Sequence, residues 1–350
     1  MPDIDVDVSV LSNGLLAESS CLSLGDYIID LAWSPDTSKL AAVTVEGTVF
    51  LINDHGASAA PNLIGQHAGG ANALSWRRDG AEFATAGHDG LVKVWDGNSG
   101  QQLSAFEAGD SWVAKAVYSP CRNVLATAAG RHLKLWDEQR ETLYESSEHS
   151  STIADVGWNP DGSGVAVAAY NGVTLHVPGK QRQPRKYTGK GSSLMLAWSP
   201  DANYMATGEQ DSTVHFWNVK SGEDAQMSGF ATKVLELSWD SSGRWLATGG
   251  SATICLWDCR GKGPAGRIPR QHTGHSNKLT QLAFQPDGKF LASADADAFL
   301  LLWDPIKNDE AIDELTLSSP TSCLRWGNGG ELAVGQQDGT VVIFEVKALA

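Results

Sequence analysis

The sequence has no apolar stretch long enough to cross a membrane. Its most apolar segment, around Phe299 to Trp303, has the length of one strand, whereas a membrane helix needs about 20 apolar residues in succession. The chain begins Met-Pro-Asp-Ile-Asp-Val-Asp-Val, without the basic residues and apolar run of a secretory signal. We therefore expect a cytoplasmic protein with no membrane partner.

Basic residues are scarce, and cysteines are few. The chain has 26 Lys and Arg against 41 Asp and Glu, a formal net charge of −15. This charge opposes binding to a phosphate backbone, so no nucleic-acid partner is expected. The 5 cysteines are an odd number scattered over 350 residues, unlike a disulfide framework. We expect them to be reduced thiols.

Familiar catalytic motifs are also missing. The sequence contains no Gly-x-Ser-x-Gly nucleophile elbow, no Gly-x-x-x-x-Gly-Lys-Ser/Thr phosphate loop and no His-Glu-x-x-His zinc motif. Nothing else in the sequence indicates an organic cofactor. These absences favour a protein that is not an enzyme and that works without a cofactor.

An aromatic residue recurs along the whole chain at intervals of 40 to 45 residues. These landmark aromatics are Trp33, Trp76, Tyr118, Trp158, Trp198, Trp239, Phe284 and Trp326. Between them, short apolar segments alternate with turns rich in Gly, Pro, Asp and Ser, which indicates an all-β protein. We number the eight repeats as units 1 to 8 in chain order. A repeat that covers the chain leaves no room for a second domain.

A second landmark follows each aromatic by about 18 residues, where a strand ends in Trp-Asp or a related pair. Intact pairs are Trp95-Asp96, Trp136-Asp137, Trp257-Asp258 and Trp303-Asp304. With the 40-residue period, these pairs make the chain similar to the WD40-repeat family, from about residue 15 to 347. The resemblance implies a β-propeller, in which each unit forms a four-stranded antiparallel sheet and neighbouring sheets cover each other in a ring.

The resemblance also implies a structural hydrogen-bonded set of four side chains in each regular unit. The set joins a histidine before the first strand, a hydroxyl on the second, an aspartate in the next turn and the tryptophan of the third. Two units match it, unit 2 with His67, Thr85, Asp89 and Trp95, and unit 7 with His275, Ser293, Asp297 and Trp303. Unit 4 has His176 where the tryptophan would stand. We expect units 3, 4 and 6 to be irregular.

Eight aromatics predict eight blades. The chain ends just after the third strand of unit 8, so we expect the N-terminal segment around Leu15 to Leu24 to supply the missing strand and close the ring. The alternative is seven blades, with unit 1 displaced because it lacks the polar set. The domain prediction is an extension over residues 1–14 and one propeller over residues 15–350.

One group of residue types suits a metal ion, namely Cys255 and Cys259 with His272 and His275. Cys259 follows the third strand of unit 6, whereas both histidines follow the fourth. The two pairs should therefore lie at opposite ends of a strand about 17 Å long. We predict no metal site.

Surface positions on one face of the ring are the candidates for partner binding. In a propeller, the loops before the first strands share this loop face with the turns between second and third strands. Tyr27 and Trp112 stand six residues before their landmark aromatics, and Tyr170 lies in such a turn. Large exposed aromatics often anchor interfaces, although these could instead lie flat on neighbouring loops.

Four charged residues stand three residues before landmark aromatics, where first strands border the central channel. They are Asp30, Lys115, Asp155 and Glu236. Variation at this position fits either a binding surface or merely solvated strand ends. A basic run also follows the third strand of unit 4, and we expect it to begin on the opposite face, where it could receive an acidic partner segment. This run contains Lys180, Arg182, Arg185, Lys186 and Lys190.

The leading hypothesis is therefore a non-enzymatic scaffold, a monomer or a subunit of a complex, that binds a peptide or protein on the loop face. The alternative is an enzyme or small-ligand binder that uses an acidic channel mouth formed by Asp30, Asp155 and Glu236. Fold alone does not choose between them.

Overall fold

The computed structural model describes residues 13–53, 56, 59–179, 183–261 and 263–347. Residues 1–12 of the expected N-terminal extension lie outside this set. The regular secondary structure in the described ranges is entirely β. None of it is a helix that could span a membrane.

Thirty strands follow one another along the described chain. They are β1 (Leu16–Ser23), β2 (Ile28–Trp33), β3 (Leu40–Thr44), β4 (Thr48–Ile52), β5 (Pro61–Gln66), β6 (Ala71–Trp76), β7 (Glu82–Gly87), β8 (Leu91–Asp96), β9 (Gln102–Glu107), β10 (Val113–Tyr118), β11 (Leu125–Ala129), β12 (His132–Trp136), β13 (Thr142–Glu145), β14 (Asp155–Trp158), β15 (Val165–His176), β16 (Arg185–Trp198), β17 (Tyr204–Glu209), β18 (Val214–Asn218), β19 (Asp224–Met227), β20 (Leu237–Trp239), β21 (Trp245–Thr248), β22 (Ile254–Asp258), β23 (Arg270–His272), β24 (Leu279–Phe284), β25 (Leu291–Asp295), β26 (Phe299–Trp303), β27 (Asp313–Thr316), β28 (Thr321–Trp326), β29 (Glu331–Gln336) and β30 (Thr340–Val346).

Burial along the strands follows from sheets that pack face to face. Every residue of the second strands β3, β7 and β11 is buried, because neighbouring units cover both faces. The outermost strands β5 and β9 have no fully buried residue. The core is therefore a series of interfaces between units, such as the one where Val43 and Leu51 of unit 1 pack with Trp76 and Trp95 of unit 2.

Hydrogen bonding groups the strands into six four-stranded sheets and one six-stranded sheet. In the six-stranded sheet, residues 165–168 of β15 pair with β14, whereas residues 172–175 pair with the start of β16. The end of β16 then pairs with β17. The long strands β15 and β16 thus each serve as two strands, and this sheet holds both unit 4 and unit 5.

The chain reverses within β15 at Asn171 and Gly172, whose φ angles are 71° and 107°. Glycine is required at the second position, because a Cβ there would lie 2.2 Å from the Tyr187 carbonyl oxygen. This turn lets one continuous strand pair first with β14 and then with β16.

The structure is an all-β propeller with seven hydrogen-bonded sheets, as the seven-blade alternative predicts, so the leading prediction of eight separate blades is wrong. The eight repeats persist within them, because the fourth and fifth share one sheet. Unit 1, which the seven-blade alternative took to be displaced, instead forms a complete four-stranded sheet in the order β2-β3-β4-β5. Units 3 and 6 also form four-stranded sheets, so among the three units expected to be irregular only unit 4 departs in its pairing.

The ring is closed by the N-terminal strand, as predicted from the missing strand of unit 8. β1 pairs antiparallel with β30, from Leu16 opposite Val346 to Ser23 opposite Thr340. Innermost strands contact their neighbours all the way round, and β28 of unit 8 meets β2 of unit 1.

Landmark tryptophans bind neighbouring innermost strands together. Each of six donates its indole N–H to the backbone carbonyl that precedes the landmark aromatic of the unit before it. The donors and acceptors are Trp33 and Arg325, Trp76 and Ala32, Trp158 and Val117, Trp198 and Gly157, Trp239 and Ala197, and Trp326 and Ala283, at 2.8 to 3.4 Å. Where the landmark is Tyr118 or Phe284, its backbone N–H donates instead to Ser75 or Ser238 of the preceding unit.

Deleting residues 1–23 should remove β1 and lower the free energy of unfolding by several kcal/mol. The deletion exposes the apolar surface that Leu16 and Leu22 bury, and buried apolar area is worth about 25 cal/mol per Å². Urea unfolding followed by tryptophan fluorescence measures the change. A deletion of residues 1–12 is the control, since it leaves β1 whole. Equal stability of the two deletions would contradict the closure.

Candidate functional site

Unit 2 contains a complete chain of hydrogen bonds from indole to carboxylate. Trp95 Nε1 donates to Thr85 Oγ1 at 2.9 Å, and Thr85 Oγ1 lies 2.7 Å from His67 Nε2. His67 Nδ1 lies 2.9 Å from Asp89 Oδ1. Burial lowers the pKa of His67 by more than Asp89 raises it, so the net shift is downward. A neutral imidazole with its proton on Nδ1 satisfies every group in this chain.

Unit 7 forms the same chain, but with a different aspartate from the one predicted. Trp303 Nε1 donates to Ser293 Oγ at 2.8 Å, and His275 Nε2 lies 2.6 Å from the same oxygen. His275 Nδ1 contacts Asp295 Oδ2 at 2.9 Å. Asp297 instead accepts hydrogen bonds from Ser276 and Asn277 on the surface. The assignment of Asp297 is therefore wrong, and Asp295 takes its place.

Units 2 and 7 differ in the source of the carboxylate because of the residue two positions after Thr85 or Ser293. Unit 2 has Gly87 there, and a Cβ at that position would lie 2.2 Å from His67 Nδ1. The carboxylate must therefore come from the following turn, at Asp89. In unit 7 the corresponding residue, Asp295, is the last residue of β25 and carries the carboxylate itself.

The channel mouth holds two ion pairs. Arg325 NH2 lies 2.5 Å from Asp30 Oδ1, and Lys115 Nζ lies 2.9 Å from Asp155 Oδ1. Each carboxylate raises the pKa of the basic group that it faces. These residues line a cavity of about 360 Å³.

The second oxygen of each carboxylate binds the next innermost strand. Asp30 Oδ2 accepts from Leu74 N at 3.3 Å, and Asp155 Oδ2 accepts from Leu196 N at 2.9 Å. Leu74 and Leu196 occupy the same position in their units, two residues before the landmark. These two aspartates therefore act first as links between neighbouring units.

The prediction of an acidic mouth is wrong for two reasons. Asp30 and Asp155 are neutralised by Arg325 and Lys115. Glu236 is only 5% exposed, its Oε2 accepts from Gly250 N at 3.1 Å, and burial raises its pKa. Glu236 thus supports its own sheet and does not present a surface for a partner.

Sequence reasoning missed Arg325, although a signal was present. The residue just before each landmark aromatic is small or apolar in the other seven units. Arg325 is the one exception, and this position brings its guanidinium to the channel. Comparing the units at this position would have predicted a basic group beside Asp30.

Two of the three predicted aromatics are exposed on the loop face. Trp112 is 54% exposed and Tyr170 is 50% exposed. Tyr27 is half-buried, and its carbonyl accepts from Val45 N just after β3. Trp112 lies just before β10, and the backbone N–H of Tyr170 donates to Ser151 Oγ, in the loop before β14, at 2.9 Å. The first two therefore remain candidates for contact with a partner.

Trp112 packs against the neighbouring unit. The sequence alone left open the alternative that this aromatic contacts a neighbouring loop. Its ring lies 5.2 Å from the His88 ring between centroids. His88 is held by the Gly69 carbonyl and the Asn72 side chain, each at 2.8 Å. Half of the indole remains exposed, so Trp112 is both positioned and accessible.

A shallow cleft of about 380 Å³ lies beside Trp112. Its lining includes the carboxylates of Asp89, Glu107 and Asp110. An indole face beside carboxylates is an environment that attracts a cationic side chain.

The four residues whose types suit a metal ion, Cys255, Cys259, His272 and His275, have other surroundings in the structure. All five cysteines are free thiols, and Cys259 is buried beside the Trp257 carbonyl. His275 belongs to the set of unit 7. Among the residues with described positions, no group of three or more His, Cys, Asp or Glu is arranged to hold a metal ion.

A ring of β-sheets whose regular units contain such His–Ser/Thr–Trp sets defines a WD-repeat β-propeller. The sequence belongs to the family described as the IFT122 first beta-propeller, whose model matches residues 27–273, more than half of the chain. A model described as the WD domain, G-beta repeat, matches residues 266–304.

Curated relatives are longer than this chain. It is 27% identical over 334 residues to telomerase protein component 1 of Rattus norvegicus, a match to 93% of this chain but 12% of that protein. It is 24% identical over 298 residues to cell division cycle 20.1, cofactor of APC complex, from Arabidopsis thaliana, covering 79% of this chain and 63% of that protein. The chain thus spans less than two thirds of either relative.

A solved structure with the same fold is the crystal structure of the computationally designed Ika8 protein. The TM-score is 0.80 at 22% identity, and the match covers 94% of this chain and 100% of that one. This likeness shows the propeller fold and nothing about function.

Asp295→Ala should lower the free energy of unfolding by about 1–3 kcal/mol, because it leaves the buried Nδ1 of His275 without its acceptor. Asp297→Ala should change it by less than about 0.5 kcal/mol, since Asp297 makes only exposed hydrogen bonds. Chemical denaturation of both variants measures the difference. The reverse order of stabilities would restore Asp297 to the set.

Proposed function

We propose that this protein is a non-enzymatic scaffold that binds a protein or peptide on the loop face of its propeller. The observation that carries the proposal is the pair of half-exposed aromatics, Trp112 and Tyr170, on that face. Aromatic side chains of this kind anchor interfaces because they bury large area at low entropic cost. The name of one relative, a cofactor of the APC complex, supports participation in an assembly.

The chemistry around Trp112 favours a basic segment of the partner. Glu107 and Asp110 line the cleft beside the indole, and no ion pair joins either carboxylate to a described basic residue. A Lys or Arg side chain placed there would meet both the indole face and the carboxylates. The net charge of −15 would steer a basic partner toward the propeller.

The channel supports a second function less well. Both of its carboxylates already face cations and bind backbone N–H groups. A cationic ligand would have to displace these partners. The loop face is therefore the better candidate for binding.

Trp112→Ala should weaken a stoichiometric complex about thirtyfold, the equivalent of a hot-spot loss of about 2 kcal/mol. The matched control is Leu143→Ala on β13, because Leu143 is 55% exposed but lies on an outermost strand. Tagged wild-type protein and both variants would be used to capture partners from the native cell, with quantitative mass spectrometry and then titration calorimetry. Equal loss in both variants, or no loss in Trp112→Ala, would contradict the proposed face.

A further inference from the structure

Unit 4 keeps the histidine of the structural set but has lost the groups that bind it. His149 stands nine residues before its landmark, as His67 does in unit 2. Val167 and His176 occupy the positions of Thr85 and Trp95. The His149 and His176 rings meet edge to face, with centroids 5.1 Å apart.

Both imidazoles carry a buried nitrogen without a partner. Nε2 of His149 and Nε2 of His176 are shielded from solvent and make no hydrogen bond with any described residue. His176 Nδ1 lies 2.8 Å from the Tyr144 hydroxyl. A buried polar group without a partner costs about 1–3 kcal/mol, so a ligand that accepts from both rings would be favoured.

A cleft of about 390 Å³ opens beside these rings. Imidazole is smaller than the indole of the regular units, and the two histidines form part of the cleft wall. The lining also includes Thr174, Lys186 and Thr188, which belong to the paired parts of β15 and β16. Tyr170 lines the same cleft at the loop face.

The charge of the cleft favours an anion over a metal cation. Lys186 is exposed and has no carboxylate partner among the described residues. Glu148, the one carboxylate of the lining, pairs with Arg131 at 3.0 Å. His132 is the remaining titratable group that influences His149, and it too is basic. Two imidazoles without a third ligand would hold a metal weakly.

The basic run was expected to begin on the opposite face of the ring. Lys180 and Arg182 lie outside the described residues. The later residues of the run lie on β16, which returns toward the loop face. There Lys186 pairs with Thr174, and Thr188 pairs with Gly172. Lys186 thereby enters the same cleft as Tyr170 of the loop face.

We propose that this cleft of unit 4 is a binding site for a compact oxyanion, a carboxylate or a tetrahedral phosphate-like group. The Lys186 ammonium supplies charge, and the Nε2–H groups of His149 and His176 supply donors. In the protonated ring, His176 Nδ1 donates to the Tyr144 hydroxyl oxygen, 2.8 Å away, and the Nε2–H is left for the anion. The site goes beyond the proposed scaffold function and does not depend on it.

Binding should be coupled to protonation of the two histidines. Burial lowers the pKa of His149 and of His176 to about 4. A bound anion favours the imidazolium form, so it raises both pKa values. Affinity should therefore increase as the pH falls from 7 to 5, where the bound form takes up protons that the free form does not.

Sulfate and acetate are the probes. Sulfate keeps its charge over this pH range, and a comparison of the two ions shows whether the site prefers a tetrahedral oxyanion or a planar carboxylate. Titrations followed by histidine ring NMR should show saturable shifts of His149 and His176 with one ion or both. Lys186→Gln should weaken binding at least about fivefold. Lys190→Gln, also exposed and on β16 but outside the cleft, should have no effect.

A second variant tests the cleft itself. Val167→Thr with His176→Trp restores the hydroxyl and the indole of the regular set, so the larger indole should fill the cleft and abolish anion binding. Circular dichroism shows whether the double variant is folded. If it is not folded, the anion affinity of Lys186→Gln is the test of the site. Absence of saturable shifts, equal loss in the two lysine variants, or full binding by the folded double variant would each overturn the proposal.

Discussion

The hydrogen bond from a landmark indole to the backbone of the preceding unit is the interaction on which the ring depends. In five of the six cases it joins innermost strands of different sheets, where no strand ladder can act, and the bond from Trp198 to Gly157 lies within the six-stranded sheet. Six tryptophans make it, and the bond from Trp33 to the Arg325 carbonyl joins unit 1 to unit 8. Five of the six bonds are partly buried, so the loss of one leaves a carbonyl oxygen with less access to water as a replacement partner.

The two exceptions show that a link between units is required even when the donor changes. Tyr118 and Phe284 lack an indole, and the units before them carry Ser75 and Ser238 at the position just before the landmark. These hydroxyls accept the backbone N–H groups of Tyr118 and Phe284 at 3.0 and 2.8 Å. Asp30 and Asp155 add further links to the next units.

The sequence predicts the features that repeat in every unit. It does not predict which side chains pair when the partners are distant in the chain. The period gave the strands, and the missing strand of unit 8 gave the closure by β1. Asp295-Ala296-Asp297 offers two carboxylates, and strand geometry, not sequence, selects the first. Arg325 and Asp30 are nearly a whole chain apart, so their pairing emerges only in the closed ring. The merger of units 4 and 5 likewise depends on β16, which pairs with β15 at its start and with β17 at its end.

The stability of Trp76→Phe tests the account most directly, because this change keeps an aromatic ring and removes only the donor to the Ala32 carbonyl. Trp112→Phe is the control, since the Trp112 indole makes no such link. Urea unfolding should show one cooperative transition, with the free energy of Trp76→Phe lower than that of the control by about 1–3 kcal/mol. Equal stability of the two variants would contradict the claim that landmark indoles hold the ring together.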